Sequence, residues 1–364
     1  MEKPLDSIDE AIAAIGRGEL VVVVDDEDRE NEGDLIMAAS KASPENVAFM
    51  VRHTSGILCT PITEDIAVRL NLDPMVPKNS APLSTAFTVS VDYTHGLSTG
   101  ISADERANTA QALANNNAQA SDFVRPGHIF PLVGRQGGVL VRSGHTEAAI
   151  DLATAAGCPP VGLLAEIVND RGSVKRLPEL LKFAEEYDLR IISIADLIAW
   201  RQRREQLVDR VSEFQVRTRI GQARAFSYRT KFEEVEHLAL VFGQIEQMVA
   251  VPVRIHREKL IEDIFGSQAT HPNRLIDDAL DKLKALGGGV FIFLRSGFAG
   301  VPHDTLDAGP SSESKRANQW LEVGIGAQIV KDLGVRDICI VAGREVDLVG
   351  VEGFDLRVIQ TELL

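Results

Sequence analysis

Hydrophobic positions in the first part of the chain come in two rhythms. Unbroken runs such as Leu20 to Val24, Leu35 to Ala39 and Val161 to Val168 predict buried strands, and segments with apolar residues at helical spacing lie between them. Ser7-Ile8-Asp9-Glu10 reads as a capping box that opens a helix through about Ile15, with Gly16 to Gly18 ending it. Ser43-Pro44 starts another helix, serine as the cap and proline in the first turn. The alternation continues through Ile57 to Thr60, Thr63 to Leu70, Ala86 to Asp92, Asp104 to Ala114, Gly138 to Val141, Thr146 to Ala156 and Pro178 to Tyr187. This is a mixed α/β or α+β pattern, in which the strand Gly138 to Val141 feeds a helix starting near Thr146.

The rhythm changes near residue 205. Trp200 to Arg210 is a charged helix end without a strong apolar face and marks a connector, which places domains at 1–204 and 205–364. In the second, Gln215 to Tyr228, His237 to Phe242 and Val251 to His256 read as successive strands. A helix from about Arg274 to Leu286, strand Val290 to Leu294, helix Gln319 to Leu333 and strand Asp337 to Val341 follow. Ser296 to Ala317 is rich in Gly, Pro, Ser and Asp and reads as a long loop. The net charge of -15 over 364 residues argues against nucleic-acid or anionic-membrane partners, which would repel the chain at long range. Cys59, Cys158 and Cys339 are odd in number and widely spaced, as expected of reduced thiols. With no leader pattern and no membrane-length apolar run, the expected location is the cytoplasm.

Three constellations carry candidate chemistry. Asp25 to Asp34 packs seven carboxylates and one arginine into ten residues, between two apolar runs. A bound cation, a shared proton or full solvation would relieve their repulsion, and Arg29 either damps it or clamps a phosphate beside a metal ligand. Arg125-Pro126-Gly127-His128 and Arg142-Ser143-Gly144-His145-Thr146-Glu147 place two histidines after Arg-x-Gly. The second stands at a helix start, where backbone N–H groups with Arg142 and Thr146 form a phosphate cradle, and His145 reads as a metal ligand or a general base. Glu166 stands alone in an apolar run, as a paired buried charge or a functional acid; we favour function.

These residues resemble a family. Asp25 to Leu35, Arg-His-Thr-Ser-Gly at 52–56, Ser-Thr-Gly-Ile-Ser-Ala at 98–103, Arg-Pro-Gly-His at 125–128 and Arg-Ser-Gly-His-Thr-Glu at 142–147 resemble 3,4-dihydroxy-2-butanone 4-phosphate synthase from about Pro4 to Trp200. One departure is Glu105-Arg106, where the family pattern runs to Asp-Arg. The resemblance implies a three-layer mixed-sheet lyase of riboflavin biosynthesis, turning ribulose 5-phosphate into 3,4-dihydroxy-2-butanone 4-phosphate and formate with magnesium, manganese being the alternative. It implies Glu30 and His145 as metal ligands and His128 and Glu166 in proton transfer. It implies Arg29, Glu30, Asp34, Arg142, Ser143, Gly144, His145, Thr146 and Glu166 around the sugar phosphate, in a homodimer.

From about Val211 onward the chain resembles GTP cyclohydrolase II, in Glu236 to Val241, Val253-Arg254-Ile255-His256 and Glu262 to Ser267. The resemblance places three zinc cysteines at positions that here read Lys259, Thr270 and Pro272, and its Arg-Gln-Glu-Gly-Arg stretch is replaced near Leu294 to Phe298. No zinc and no cyclohydrolase activity are expected, with His256 and His271 as the surviving candidate ligands. The expectation is a monofunctional lyase with a degenerate second domain; the alternative is a bifunctional or regulatory protein whose second domain still binds a nucleotide.

Overall fold

The computed structural model describes residues 5–26, 29–230, 235–265, 274–295, 323–343 and 356–364. Two compact units meet in sequence at Trp200 and Arg201.

The first unit runs α1 (Ile8–Arg17), β1 (Val21–Val24), β2 (Gly33–Ala38), α2 (Pro44–His53), β3 (Cys59–Ile62), α3 (Glu64–Arg69), β4 (Val91–Tyr93), α4 (Ala103–Leu113), β5 (Phe123–Val133), α5 (His145–Ala155), β6 (Gly162–Glu166), α6 (Leu177–Glu186), β7 (Arg190–Ser193) and the start of α7 (Ile194–Arg204), whose last turn belongs to the second unit. Its strands form one mixed sheet in the order β4-β5-β3-β6-β2-β1-β7. The Ser7 capping box is present, and Gly18 closes α1 in the left-handed region at φ 85°. Ser43 caps α2 with Pro44 in the first turn.

Period-two alternation in β2 and β6 sorts the two faces. A Cβ on Gly162 would lie 2.6 Å from Ala149 in α5, and one on Gly33 would lie 2.5 Å from Leu180 in α6. Asp34 pairs with Glu166 and Ala38 with Gly162. Asp34 and Glu166 therefore share the α5 face, and Gly33 looks to α6, so the sheet is the middle of three layers.

The second unit runs β8 (Val208–Thr218), β9 (Gly221–Thr230), β10 (Glu236–Phe242), β11 (Val251–Arg257), α8 (Leu260–Phe265), α9 (Leu275–Ala285), β12 (Gly289–Leu294), a helical stretch 323–332, β13 (Asp337–Ala342) and β14 (Arg357–Leu363). They build a second mixed sheet, ordered β14-β13-β11-β12-β10-β9-β8. Ala279, Leu280 and Leu283 of α9 form its core with Phe242, Phe291 and Val341.

Several expectations change. Gly138–Leu140 is a 3-10 turn rather than a strand, because Gly137 and Gly138 adopt φ 96° and 63°, outside the extended region. Gln215 to Tyr228 is two antiparallel strands, turned between Thr218 and Gly221. Only Val91–Tyr93 of the Ala86 region forms a strand, and β5 runs through the Arg-Pro-Gly-His motif. Glu166 is the last residue of its strand, not an interior one. The expected loop Ser296 to Ala317 lies outside the described residues, as does the start of the helix expected from Gln319.

Candidate active site

The acidic segment links β1 to β2, and Asp25 organises it. Its Oδ2 accepts from the Glu30 backbone N–H and the Arg29 guanidinium, each at 3.0 Å, and its Oδ1 accepts from the Glu32 N–H at 2.9 Å. Arg29 is thereby turned inward, only 5% exposed, and also holds the Glu30 carboxylate. Glu27 and Asp28 lie outside the described residues.

His145 is the first residue of α5. Its Nε2 is 3.1 Å from the Val23 carbonyl and must donate, since a carbonyl only accepts, so in the neutral ring the Nδ1 lone pair faces Glu30 at 3.6 Å. Asp25, Glu30 and His145 offer ligand atoms within 4.8 Å of one another. Both Asp25 oxygens organise the loop backbone and Arg29, which leaves the Glu30 carboxylate, shared with Arg29, and the His145 Nδ1 nitrogen as the donors. With the second nitrogen oriented by a backbone carbonyl, these donors fit a hard divalent cation that takes its other ligands from water or substrate. Burial alone would raise the Glu30 carboxyl, but hydrogen bonding to His145 and the charges of Arg29 and His145 carry it down to about 2. Burial opposes the charge on His145, yet Asp34, Glu30 and Asp25 lift it to about 9.

Asp34 is 3% exposed, and its Oδ1 has no hydrogen-bond partner among the described residues. Burial, with the Glu166 and Glu30 charges added, raises it to about 7 against the pull of His145. It thus presents an unsatisfied oxygen beside the candidate metal ligands. Glu166 Oε2 accepts from the Ser55 hydroxyl at 2.7 Å, and the Ser55 N–H donates to the Glu166 carbonyl at 2.8 Å. The buried Cys59 thiol, raised by burial and the charges of Glu166 and Asp34, stays protonated below them.

Gly144 precedes α5 because a side chain there would fall 2.5 Å from Arg142 Nη1 and 2.8 Å from Glu147 Oε2. Arg142 pairs with Glu147 at 2.7 Å, and Glu147 in turn accepts from the Arg135 N–H at 3.0 Å. Gly144 offers no side-chain cap, so the first-turn N–H groups of α5 remain available, flanked by Ser143 and Thr146.

His128 makes no described contact with these residues. On β5, it donates its backbone N–H to Asp92 Oδ1 at 2.8 Å, and its Nδ1 lies 2.7 Å from Asp92 Oδ2. Asp92 is buried, and the His128 side chain is 40% exposed. Gly100 seals this pair, because a Cβ there would sit 2.1 Å from Asp92. Glu30, Asp34, His145 and Glu166 thus come together, Arg142, Ser143, Gly144 and Thr146 adjoin them along the chain, and His128 pairs with Asp92. Sequence reasoning missed Asp92, Ser55 and the organising role of Asp25. Asp25 alone had a local signal, as the first carboxylate after an apolar run.

In the second unit, Lys259 Nζ pairs with Glu262 at 3.0 Å, while the Lys259 N–H (2.8 Å) and His256 Nε2 (2.9 Å) both meet the Asp263 carboxylate. His256 stacks between Phe291 and Phe293. Thr270, His271 and Pro272 lie outside the described residues.

A family model described as 3,4-dihydroxy-2-butanone 4-phosphate synthase matches residues 9–200, and one described as GTP cyclohydrolase II matches residues 209–362. The bifunctional riboflavin biosynthesis protein RIBA 1, chloroplastic, of Arabidopsis thaliana is 46% identical over 97% of this chain and 68% of its own length. The riboflavin biosynthesis protein RibBA of Mycobacterium tuberculosis is 45% identical over 98% of this chain and 88% of its own. Among solved structures, RibBX, a two domain 3,4-dihydroxy-2-butanone 4-phosphate synthase from A. baumannii, superposes with a TM-score of 0.82 at 33% identity, covering 98% of this chain and 99% of that one. A 3,4-dihydroxy-2-butanone 4-phosphate synthase in complex with two magnesium ions matches at 44% identity and a TM-score of 0.53, over 55% of this chain and 98% of that one. The fold and site define a two-domain enzyme with a carboxylate–histidine centre where the interior strands β1 and β6 end and β2 begins. The chain belongs to the 3,4-dihydroxy-2-butanone 4-phosphate synthase family and is a lyase of that kind, with a GTP cyclohydrolase II-like second domain.

Proposed function

We propose that the protein converts ribulose 5-phosphate into 3,4-dihydroxy-2-butanone 4-phosphate and formate, as a magnesium-dependent enzyme of riboflavin biosynthesis, manganese being the alternative ion. The observation that carries this reading is the pairing of Glu30 with His145 Nδ1, the other ring nitrogen being committed to Val23, beside the unsatisfied Asp34 oxygen. A divalent cation held by Glu30 and His145 would supply positive charge to adjacent sugar oxygens as a proton next to the ketone is lost.

The chain's own groups divide the remaining work. Glu166, fixed by Ser55, takes a proton at its carboxylate, and Asp34, neutral below about 7, donates a hydrogen bond to a substrate oxygen. Arg142, Ser143, Gly144 and Thr146 hold the phosphate at the start of α5, and Arg29 keeps Glu30 in place. His128, with one nitrogen held by Asp92 and its side chain partly exposed, moves a proton from the other.

The working unit we infer is a homodimer whose site draws His128 from one copy and the Glu30 cluster from the other, since no described contact joins the two groups within one copy. Co-expressing His128→Ala with Glu30→Gln chains should then recover about a quarter of wild-type activity, since one complete site survives in each mixed dimer. No recovery would place both groups in one copy. No helix among the described residues is long and apolar enough to cross a membrane, and we place the protein in the cytoplasm, without nucleic-acid or membrane partners.

For the second domain we propose neither zinc nor GTP ring opening. A lysine engaged with Glu262 stands where a thiolate would be needed, and Cys339 is buried in β13. The name of the Arabidopsis relative favours a second reading, a bifunctional enzyme. One experiment tests both: formate release by the full chain from ribulose 5-phosphate, with and without magnesium, and from GTP, alongside zinc analysis after dialysis. Magnesium-dependent formate from the sugar alone supports the proposal. GTP-dependent formate with stoichiometric zinc would establish the second reading instead.

A further inference from the structure

The two proposed metal ligands are mounted very differently. His145 begins a helix seated on β6 with no side chain between them at Gly162, and its ring is tied to β1 through Val23. Glu30 sits in a loop without regular structure, and the bonds made by Asp25 to Arg29, Glu30 and Glu32 are all internal to that loop. An internal hub gives the loop a shape but does not fix it to the rest of the fold. That connection comes from α6. Leu180 packs under Gly33 at the loop's exit, and the Arg176 guanidinium donates to the Glu30 carbonyl at 2.6 Å and, through the same nitrogen, to the Asn31 carbonyl. Asn31 adopts φ 54°, and this left-handed residue lets two successive carbonyls converge on one donor. Capping α6 does not require the guanidinium, because the bond that closes the helix start to Glu179 uses the Arg176 backbone N–H.

We propose that Arg176 is a positioning residue that sets the metal affinity of the site, by holding the backbone of Glu30 where its carboxylate can share a cation with His145. The proposal rests on the reading of Glu30 and His145 as the ligands. Ligands held in place by a second layer of hydrogen bonds bind without first ordering a loop, whereas a loosened loop must pay that entropy on each binding event. The guanidinium also places a positive charge near Glu32 in a segment crowded with carboxylates.

The test uses the full chain and Mn2+ as the probe, with free Mn2+ counted by electron paramagnetic resonance in the absence of substrate. Arg176→Met should weaken Mn2+ binding by about 10- to 100-fold, the usual cost of removing such a support. Arg176→Lys, which keeps one donor head, should recover part of the loss. At saturating magnesium the KM for ribulose 5-phosphate should stay within about threefold of wild type, because no substrate contact is removed. Arg176 is exposed, and an unchanged thermal transition will confirm that the variants fold. Wild-type Mn2+ affinity in Arg176→Met, in a preparation where Glu30→Gln has lost binding, overturns the role of Arg176 alone. A raised KM with unchanged Mn2+ binding overturns it too, by making Arg176 a substrate contact. Wild-type binding in Glu30→Gln removes the ligand assignment itself, and the proposal with it.

Discussion

His145 in the first unit and His237 in the second are both nearly inaccessible, at 7% and 2% exposed, and each has one ring nitrogen committed to the backbone. His145 Nε2 donates to Val23, and His237 Nδ1 accepts from the Arg295 N–H. Their remaining nitrogens differ. His145 Nδ1 faces Glu30 with Asp34 and Asp25 nearby, and the ring holds its proton up to about 9; His237 Nε2 has no partner among the described residues, and burial, with the charge of Arg295, drives it down to about 4. Burial opposes charge in both. The carboxylates decide the sign, so one histidine keeps its charge among them and the other is a neutral core residue.

The sharpest way to break this contrast is to remove the carboxylate. Glu30→Gln keeps the shape but not the charge, and formate release should fall by at least about a hundredfold with the fold retained. Wild-type turnover at limiting magnesium would take Glu30 out of the site. Next come Arg142→Ala and Glu166→Gln, each costing about 10- to 100-fold, the first mainly in KM and the second mainly in kcat. The reverse split would exchange their roles.

The second unit's side of the comparison is read by pH. His237 titrates near 4 when folded and near 6.5 when unfolded, so acid favours the unfolded chain. Its contribution is fully present above pH 6.5 and lost as pH falls toward 4, by roughly 3 kcal/mol. Protection factors in β10 and β12, taken relative to the intrinsic exchange rate at each pH, should fall over that window, and His237→Asn, which keeps an acceptor for Arg295, should flatten the response. An unchanged acid response in the variant would clear His237 of the effect. Smallest is Ser55→Ala, which frees one carboxylate oxygen and should lower kcat about five- to tenfold, in line with one charge-assisted hydrogen bond. Full activity would make Ser55 incidental.

What could be read from the sequence was local. The Ser7 and Ser43 caps, the acidic segment between two apolar runs and the Gly-His-Thr start of α5 each lie within a few consecutive residues, where spacing maps directly onto geometry. Asp92 was not legible because its partner His128 is 36 positions away and meets it only through β4–β5 pairing. Ser55 finds Glu166 across a separation of 111, and no periodicity encodes that. Gly138 to Val141 misled because its apolar residues fit a strand while Gly138 and the preceding Gly137 adopt positive φ. In the second unit, the turn between Thr218 and Gly221 lacks the Asn-Gly or Asp-Gly signature, so two strands read as one.

The unequal mounting of Glu30 and His145 also bears on how the protein should fail on heating. α5 is close-packed onto β6, whereas the backbone of the acidic loop is tied to α6 by the exposed Arg176, a contact expected to open at lower cost than the core. Warming should therefore cost the protein its catalytic competence some degrees before its secondary structure melts. That early loss should reverse on cooling, and millimolar magnesium should raise the temperature of inactivation more than the temperature of unfolding.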